Sequence, residues 1–120
     1  MPTVAIDFDG VISKYKSYEG KGVFGEPTPC CVEAIKALKD RGWIVIIHTT
    51  RSETHQIKEY LDKHMVAYDY INYNPENIDR GCNMGKPLAD IYIDDRAVRF
   101  NGDWMHTIEE VLNFKPYWKI

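Results

Sequence analysis

The sequence predicts an α/β fold of three layers, a Rossmann-like domain with a mainly parallel sheet and helices on both faces. Two observations lead there. Short apolar, β-branched runs alternate along the chain with stretches whose apolar residues recur at helical spacing, the pattern of successive βα units. The length is 120 residues with 44% hydrophobic side chains, which suits one core, so residues 1–120 are expected to form a single domain.

Thr3 to Asp9 is a short apolar run closed by acid and Gly10, and reads as a strand buried on both faces. Residues 10–27 carry Gly10, Gly20, Gly22 and Gly25 before Pro27, and read as a loop. Thr28 is the expected N-cap of the first helix, with Pro29 at its first position. Val32, Ile35 and Leu38 mark its inner face, and Gly42 closes it. Trp43–Ile47 is the second strand, too short and too β-branched for a helix. Ser52 is the expected cap of a second helix with Ile57, Tyr60, Leu61 and His64 on one face. Tyr70–Tyr73 is a third strand, residues 74–86 read as loop, and Ala89–Ile93 is a fourth strand. Asp103 is expected to cap a last helix bearing Ile108, Val111 and Leu112.

Composition removes several classes of function. The longest apolar run, Trp43–Ile47, falls far short of the roughly 20 residues that span a bilayer. The N-terminus enters a strand directly, without the basic flank and apolar stretch of a secretion signal, so a cytoplasmic address is expected. A formal charge of −3 offers no basic footprint for nucleic acid. The 3 cysteines are an odd set with Cys30 beside Cys31, and lack the paired spacings of a zinc site.

In an open parallel sheet the ligand crevice lies beyond the carboxyl ends of the strands. The first predicted strand ends in Asp7 and Asp9, the second in Thr49 and Arg51, and the fourth in Asp94 and Asp95, with Lys86 just before it. Each alone is an ordinary turn or capping residue. Their arrival at one rim is what marks a site. In extended chain Asp7 and Asp9 point the same way, and two such carboxylates repel unless a cation or a proton intervenes. An acidic cluster of this kind suits a hard divalent ion with oxygen ligands, Mg²⁺ where phosphate is also bound. Lys86 then offsets substrate charge and the Thr49 hydroxyl can bond a phosphoryl oxygen. Gly10, Thr50, Arg51 and Arg96 flank these groups as candidate substrate contacts. Lys14, Tyr15, Lys16, Tyr18 and Lys21 in one loop, and Asn77, Arg80 and Asn83 in the other, are candidates for choosing the substrate.

Asp7-Phe8-Asp9-Gly10-Val11 resembles the Asp-x-Asp-x-Thr/Val motif of the haloacid dehalogenase superfamily of phosphotransferases. Thr49, Lys86 and Asp94-Asp95 are similar to that family's second, third and fourth motifs, in order, from residue 3 to about residue 96. The resemblance implies a phosphomonoester hydrolase. Asp7 would be the nucleophile that forms an aspartyl-phosphate, and Asp9 the general acid and then base. Thr49 and Lys86 would bind the transferring phosphoryl group. Asp7, the Asp9 carbonyl and Asp94 would hold Mg²⁺, with Asp95 supporting the shell through water. The acid at position 9 favours phosphatase or mutase chemistry over dehalogenation. The segments where the family inserts caps, 10–27 and 74–85, are loop-sized, which implies a capless member with an open site. Such a site admits a large substrate or borrows a lid from a second copy in a homo-oligomer. Lys86 departs from the pattern, since it runs through Pro87 almost directly into the fourth strand instead of lying on a fuller helix.

Two rivals come from other classes. A receiver-type signalling domain uses similar groups, but places its Lys after the phosphorylated Asp and near the chain's end, an order this sequence does not have. A non-catalytic phosphate- and Mg²⁺-binding module of the same fold is the second. A phosphorylated small molecule is the expected partner, and a phosphorylated nucleic-acid end is the macromolecular alternative that the negative charge disfavours.

Overall fold

Over residues 1–119, the computed structural model has β1 (Thr3–Ile6), α1 (Cys31–Asp40), β2 (Ile44–Ile47), α2 (Thr54–Lys63), β3 (Tyr70–Ile71), α3 (Pro75–Asp79), β4 (Ile91–Ile93) and α4 (Trp104–Leu112). The strands form one all-parallel sheet in the order β3-β2-β1-β4, which is the α/β class expected. β1 is central: Thr3–Ile6 pairs with Ile44–Ile47 on one side, and Val4–Ile6 pairs with Ile91–Ile93 on the other. Parallel pairing brings every carboxyl end to one rim, where Asp7, His48, Asn72 and Asp94 follow their strands.

Alternation along the strands divides the core. Val4, Ile6, Val45 and Ile47 face α1 and α2 and pack with Phe8, Ile12, Ile35, Ile57, Tyr60 and Leu61. Each fully buried aliphatic side chain contributes roughly 1.5–3 kcal/mol. Ala5 and Ile46 are buried toward the second face. Tyr92, level with Ala5, donates to Pro87 O at 2.7 Å, which sets residues 74–88 against that face. Asn77 organises this layer: its side chain donates to Asn83 O and Lys86 O and accepts from Leu88 N. It is buried, so it braces the fold and does not reach a substrate.

Several local expectations are corrected. Residues 74–86 contain α3, whose start is a side-chain cap by Asn74 on Glu76 N with Pro75 following. The Thr28 hydroxyl does not cap α1; it donates to Val11 O at 2.6 Å, and α1 begins after Cys30, which has φ 63°. Ser52 does not cap α2; Glu53 stands at that position with its carboxylate turned to Arg51 and Gly22 N. β1 ends at Ile6, because Phe8 O accepts from both Ile12 N and Ser13 N and turns the chain. β2 starts at Ile44 instead of Trp43, β3 stops at Ile71, where Asn72 has φ 50°, and β4 starts at Ile91. Asp103 caps α4 as expected, accepting from Met105 N and His106 N.

The β4–α4 end is less covered than the rest. Ile91 and Ile93, on the α1–α2 side of the sheet, are exposed, as are Trp104, Met105, Ile108, Val111 and Leu112 of α4. Among the described residues no helix is long and apolar enough to cross a membrane. Cys30, Cys31 and Cys82 are all free thiols.

Candidate functional site

The rim carries a cleft of about 770 Å³ lined by Asp7, Asp9, His48, Thr49, Thr50, Arg51, Asp94, Asp95 and Arg96, among others. Within it, oxygens of Asp7, Asp94 and Asp95 lie within 4.8 Å of one another. β1 and β4 are neighbours in the sheet, and Asp7 N donates to Ile93 O at 2.9 Å, which pins the two strand ends side by side. Asp94 Oδ1 accepts from Arg96 N, and Asp7 Oδ1 from Phe8 N, both at 2.8 Å.

Crowding three carboxylates has a direct consequence. Burial, then a hydrogen bond shared with Asp95 and repulsion from Asp94 and Asp95, push the Asp7 carboxyl up to about 8. Asp95 moves the other way: burial opposes its ionisation, but hydrogen bonds from Asp7 and the Trp118 indole outweigh it and hold it low. Of the two carboxyls, Asp7 is therefore the one that ionises less readily. Among the described residues, Asp95 Oδ1 is buried and has no hydrogen-bond partner. Three aspartates so grouped, one of them with an unsatisfied carboxylate oxygen, are a donor set that fits a hard cation such as Mg²⁺.

Asp9 has a different environment. The sequence expectation set Asp7 and Asp9 on one face in mutual repulsion, and the turn after Ile6 parts them. Both Asp9 oxygens accept from Arg51, from Nε at 2.6 Å and from Nη2 at 3.1 Å. Arg51 also bonds Glu53 at 3.0 Å and the carbonyls of Gly20 and Val23, and its guanidinium lies over the rings of Tyr18 and Phe24. Its side chain is only 4% exposed. Arg51, expected among the substrate contacts, is thus the hub that ties the 10–27 loop to the rim.

The remaining candidates divide. Thr49 is at the cleft, with its N–H donating to Asn72 Oδ1 at 2.9 Å and its hydroxyl accepting from Arg51 N at 3.1 Å. Thr50 is exposed on the cleft wall. Gly10 lies under the acidic cluster at φ 84°; a Cβ there would meet Asp95 Oδ2 at 2.2 Å, so only glycine fits. Arg96 is exposed at the cleft, its guanidinium over the Trp118 ring. Lys86 is not on the cleft wall: it is exposed, with its ammonium 4.8 Å from the centre of the Tyr92 ring, while Gly85 lines the cleft. Arg80 pairs on the surface with Glu76.

Four residues the sequence did not single out help to build the site. Asn72 holds Thr49, Glu53 holds Arg51, and Tyr117 and Trp118 return from the C-terminal region to Gly10 O and Asp95. Asn72 has a signal in its place at a strand's carboxyl end. The aromatic pair has none, since it is 107 residues away from Gly10 along the chain.

No family model matches the chain, and no curated protein does. Among solved structures, a conserved protein from Bacteroides thetaiotaomicron is similar at TM-score 0.67 and 28% identity, over 96% of this chain and 93% of that one. A crystallised target from Vibrio cholerae is similar at TM-score 0.53 and 25% identity, over 93% of this chain and 99% of that one. A third match, in a Pnkp1/Rnl/Hen1 complex, reaches TM-score 0.41 and 16% identity over 37% of that chain, too distant to bear on function. The first two share this α/β architecture over nearly their whole length.

Proposed function

We propose that the chain is a Mg²⁺-dependent phosphomonoester hydrolase of the haloacid dehalogenase type. The observation that carries this reading is the trio of Asp7, Asp94 and Asp95 at adjacent parallel strand ends, with oxygens within 4.8 Å and Asp95 Oδ1 buried without a partner. Asp7, Asp94 and Asp95, with the Asp9 carbonyl, would hold the ion, which would supply positive charge against the phosphate.

Asp7 attacks phosphorus: a carboxylate oxygen forms the new P–O bond as the bond to the ester oxygen breaks, and Asp9 delivers a proton to the departing alcohol. Asp9 then takes a proton from water, whose oxygen displaces the Asp7 carboxylate and releases phosphate. Two conditions follow from the geometry. Asp7 attacks as a carboxylate, and positive charge at the cluster favours that form against the burial and repulsion that raise it. Both Asp9 oxygens are occupied by Arg51, so Asp9 must turn from the guanidinium and take up a proton from water before it can serve a leaving group. Thr49 would hold a phosphoryl oxygen. Lys86 would serve the same end only by leaving Tyr92, along a flexible four-carbon stem.

A second reading, a phosphate- and Mg²⁺-binding module without turnover, is favoured by the same two details, the grip of Arg51 on Asp9 and the seat of Lys86 on Tyr92. One assay separates them: phosphate release from a generic aryl phosphate, with Mg²⁺ and with chelator, for the wild type and Asp7→Asn. Release that needs Mg²⁺ and vanishes in the variant is expected. Mg²⁺ binding without release from a panel of aryl, sugar and nucleoside phosphates would favour the module.

A further inference from the structure

We infer that Trp118 is a positioning residue of the acidic site, acting through Asp95; this rests on the reading of that site as a cation site. The indole Nε1–H of Trp118 donates to Asp95 Oδ2 at 2.5 Å. That bond occupies one oxygen of a carboxylate that groups with Asp7 and Asp94, while the other oxygen, Oδ1, is buried and has no hydrogen-bond partner among the described residues.

Three further contacts make this a built arrangement. Tyr117, the adjacent residue, donates its hydroxyl to Gly10 O at 2.5 Å, so the segment is anchored to the loop that follows Asp9. Gly10 has no side chain to fill the space: a Cβ there would lie 2.9 Å from Trp118 Nε1 as well as against Asp95 Oδ2. The Trp118 ring is itself held, edge-to-face with Tyr15 at 5.0 Å between centroids and beneath the Arg96 guanidinium at 5.3 Å. A carboxylate that flanks a cation site needs its rotamer fixed, or it spends its time turned to solvent. Groups that orient metal ligands in this way typically alter affinity 10–100-fold when removed. Asp95 is half-buried at the end of β4, and among the described residues Trp118 is the one side-chain N–H that bonds it. Phenylalanine in place of Trp118 keeps an aromatic body and removes that N–H. Histidine restores a ring N–H donor.

The test is Mg²⁺ titration by calorimetry on the full chain without substrate, comparing wild type, Trp118→Phe, Trp118→His and Tyr117→Phe, each checked for a native melting transition. Trp118→Phe is expected to weaken Mg²⁺ binding about tenfold, and Trp118→His to recover most of that loss. Tyr117→Phe, which loosens the same segment without touching Asp95, is expected to change affinity by less than about threefold. Equal affinity in wild type and Trp118→Phe overturns the inference and leaves the cation site standing. Equal weakening in the Phe, His and Tyr117 variants also overturns it, because packing of the segment would then be the cause. A wild type that takes up no Mg²⁺ removes the cation reading itself, and the role of Trp118 with it.

Discussion

Asp7 and Asp9 are the same side chain at almost the same place, and the fold treats them oppositely. Asp7 faces two more carboxylates, and burial and their charge raise its carboxyl to about 8. Asp9 is relieved by a guanidinium through two hydrogen bonds. A proton is easily displaced by a metal ion, whereas a buried arginine held by five hydrogen bonds is not. The first site is therefore open to a cation, and the second is tied to the 10–27 loop. The difference comes from neighbours across the sheet and not from the dipeptide spacing.

The harshest way to break this contrast is Asp7→Asn, which removes the nucleophile. Turnover is expected to fall by at least about 10⁴-fold, read as phosphate release at saturating Mg²⁺. Residual activity above one per cent would remove Asp7 from that role. Arg51→Gln comes next. It leaves Asp9 and Glu53 side by side without a cation, so stability should drop by about 3–5 kcal/mol in urea unfolding. A loss under about 1 kcal/mol would show that solvent already screens the pair. Asp9→Asn removes proton transfer and also one anion of the Arg51 ion pair, so kcat is expected to fall about 10²–10³-fold with both steps slowed, in a variant first checked for a native melting transition.

A pH series sharpens the same comparison. The Asp7 carboxyl is raised, so its contribution to stability is complete below about 3.8 and is lost as pH climbs toward 8. In chelator the wild type is therefore expected to lose melting temperature relative to Asp7→Asn across that window. Asp95 is shifted downward, so its own effect falls on the acid side of the window and does not mask the trend. Saturating Mg²⁺ should reverse the trend, because it takes the proton's place; parallel melting curves at every pH would contradict the raised carboxyl. The smallest effect is expected on the Arg51 side. Tyr18→Leu removes a ring 5.2 Å from the guanidinium and should lower stability by about 0.5–1 kcal/mol in the same urea experiment.

Much of this was legible in order along the chain. Thr3–Ile6, Ile44–Ile47 and Ile91–Ile93 are apolar and β-branched enough to declare strands, and their carboxyl ends hold the aspartates and Thr49. Asn74-Pro75-Glu76 has the capping pattern of a helix start, although the glycine and proline content of residues 74–86 reads as loop. Asn77 looks like a surface residue of that loop, and only the packing of residues 83–88 around it makes it a buried brace. Lys86 looks like a rim cation, yet its ammonium sits 4.8 Å from the centre of the Tyr92 ring on the second face of the sheet.

The sequence by itself determined the α/β class, the helical faces and the set of acids, because strand and helix signals are local and parallel strands must end at one rim. Only the tertiary structure decided which acids meet. Asp7 joins Asp94 and Asp95 because β4 pairs with β1 on the side away from β2, a choice of strand order that no local pattern encodes. Asp9 goes to Arg51, and Trp118 to Asp95, across separations of 42 and 23 residues. Such contacts follow from the whole core closing at once, and their electrostatics depend on burial that appears only when it has.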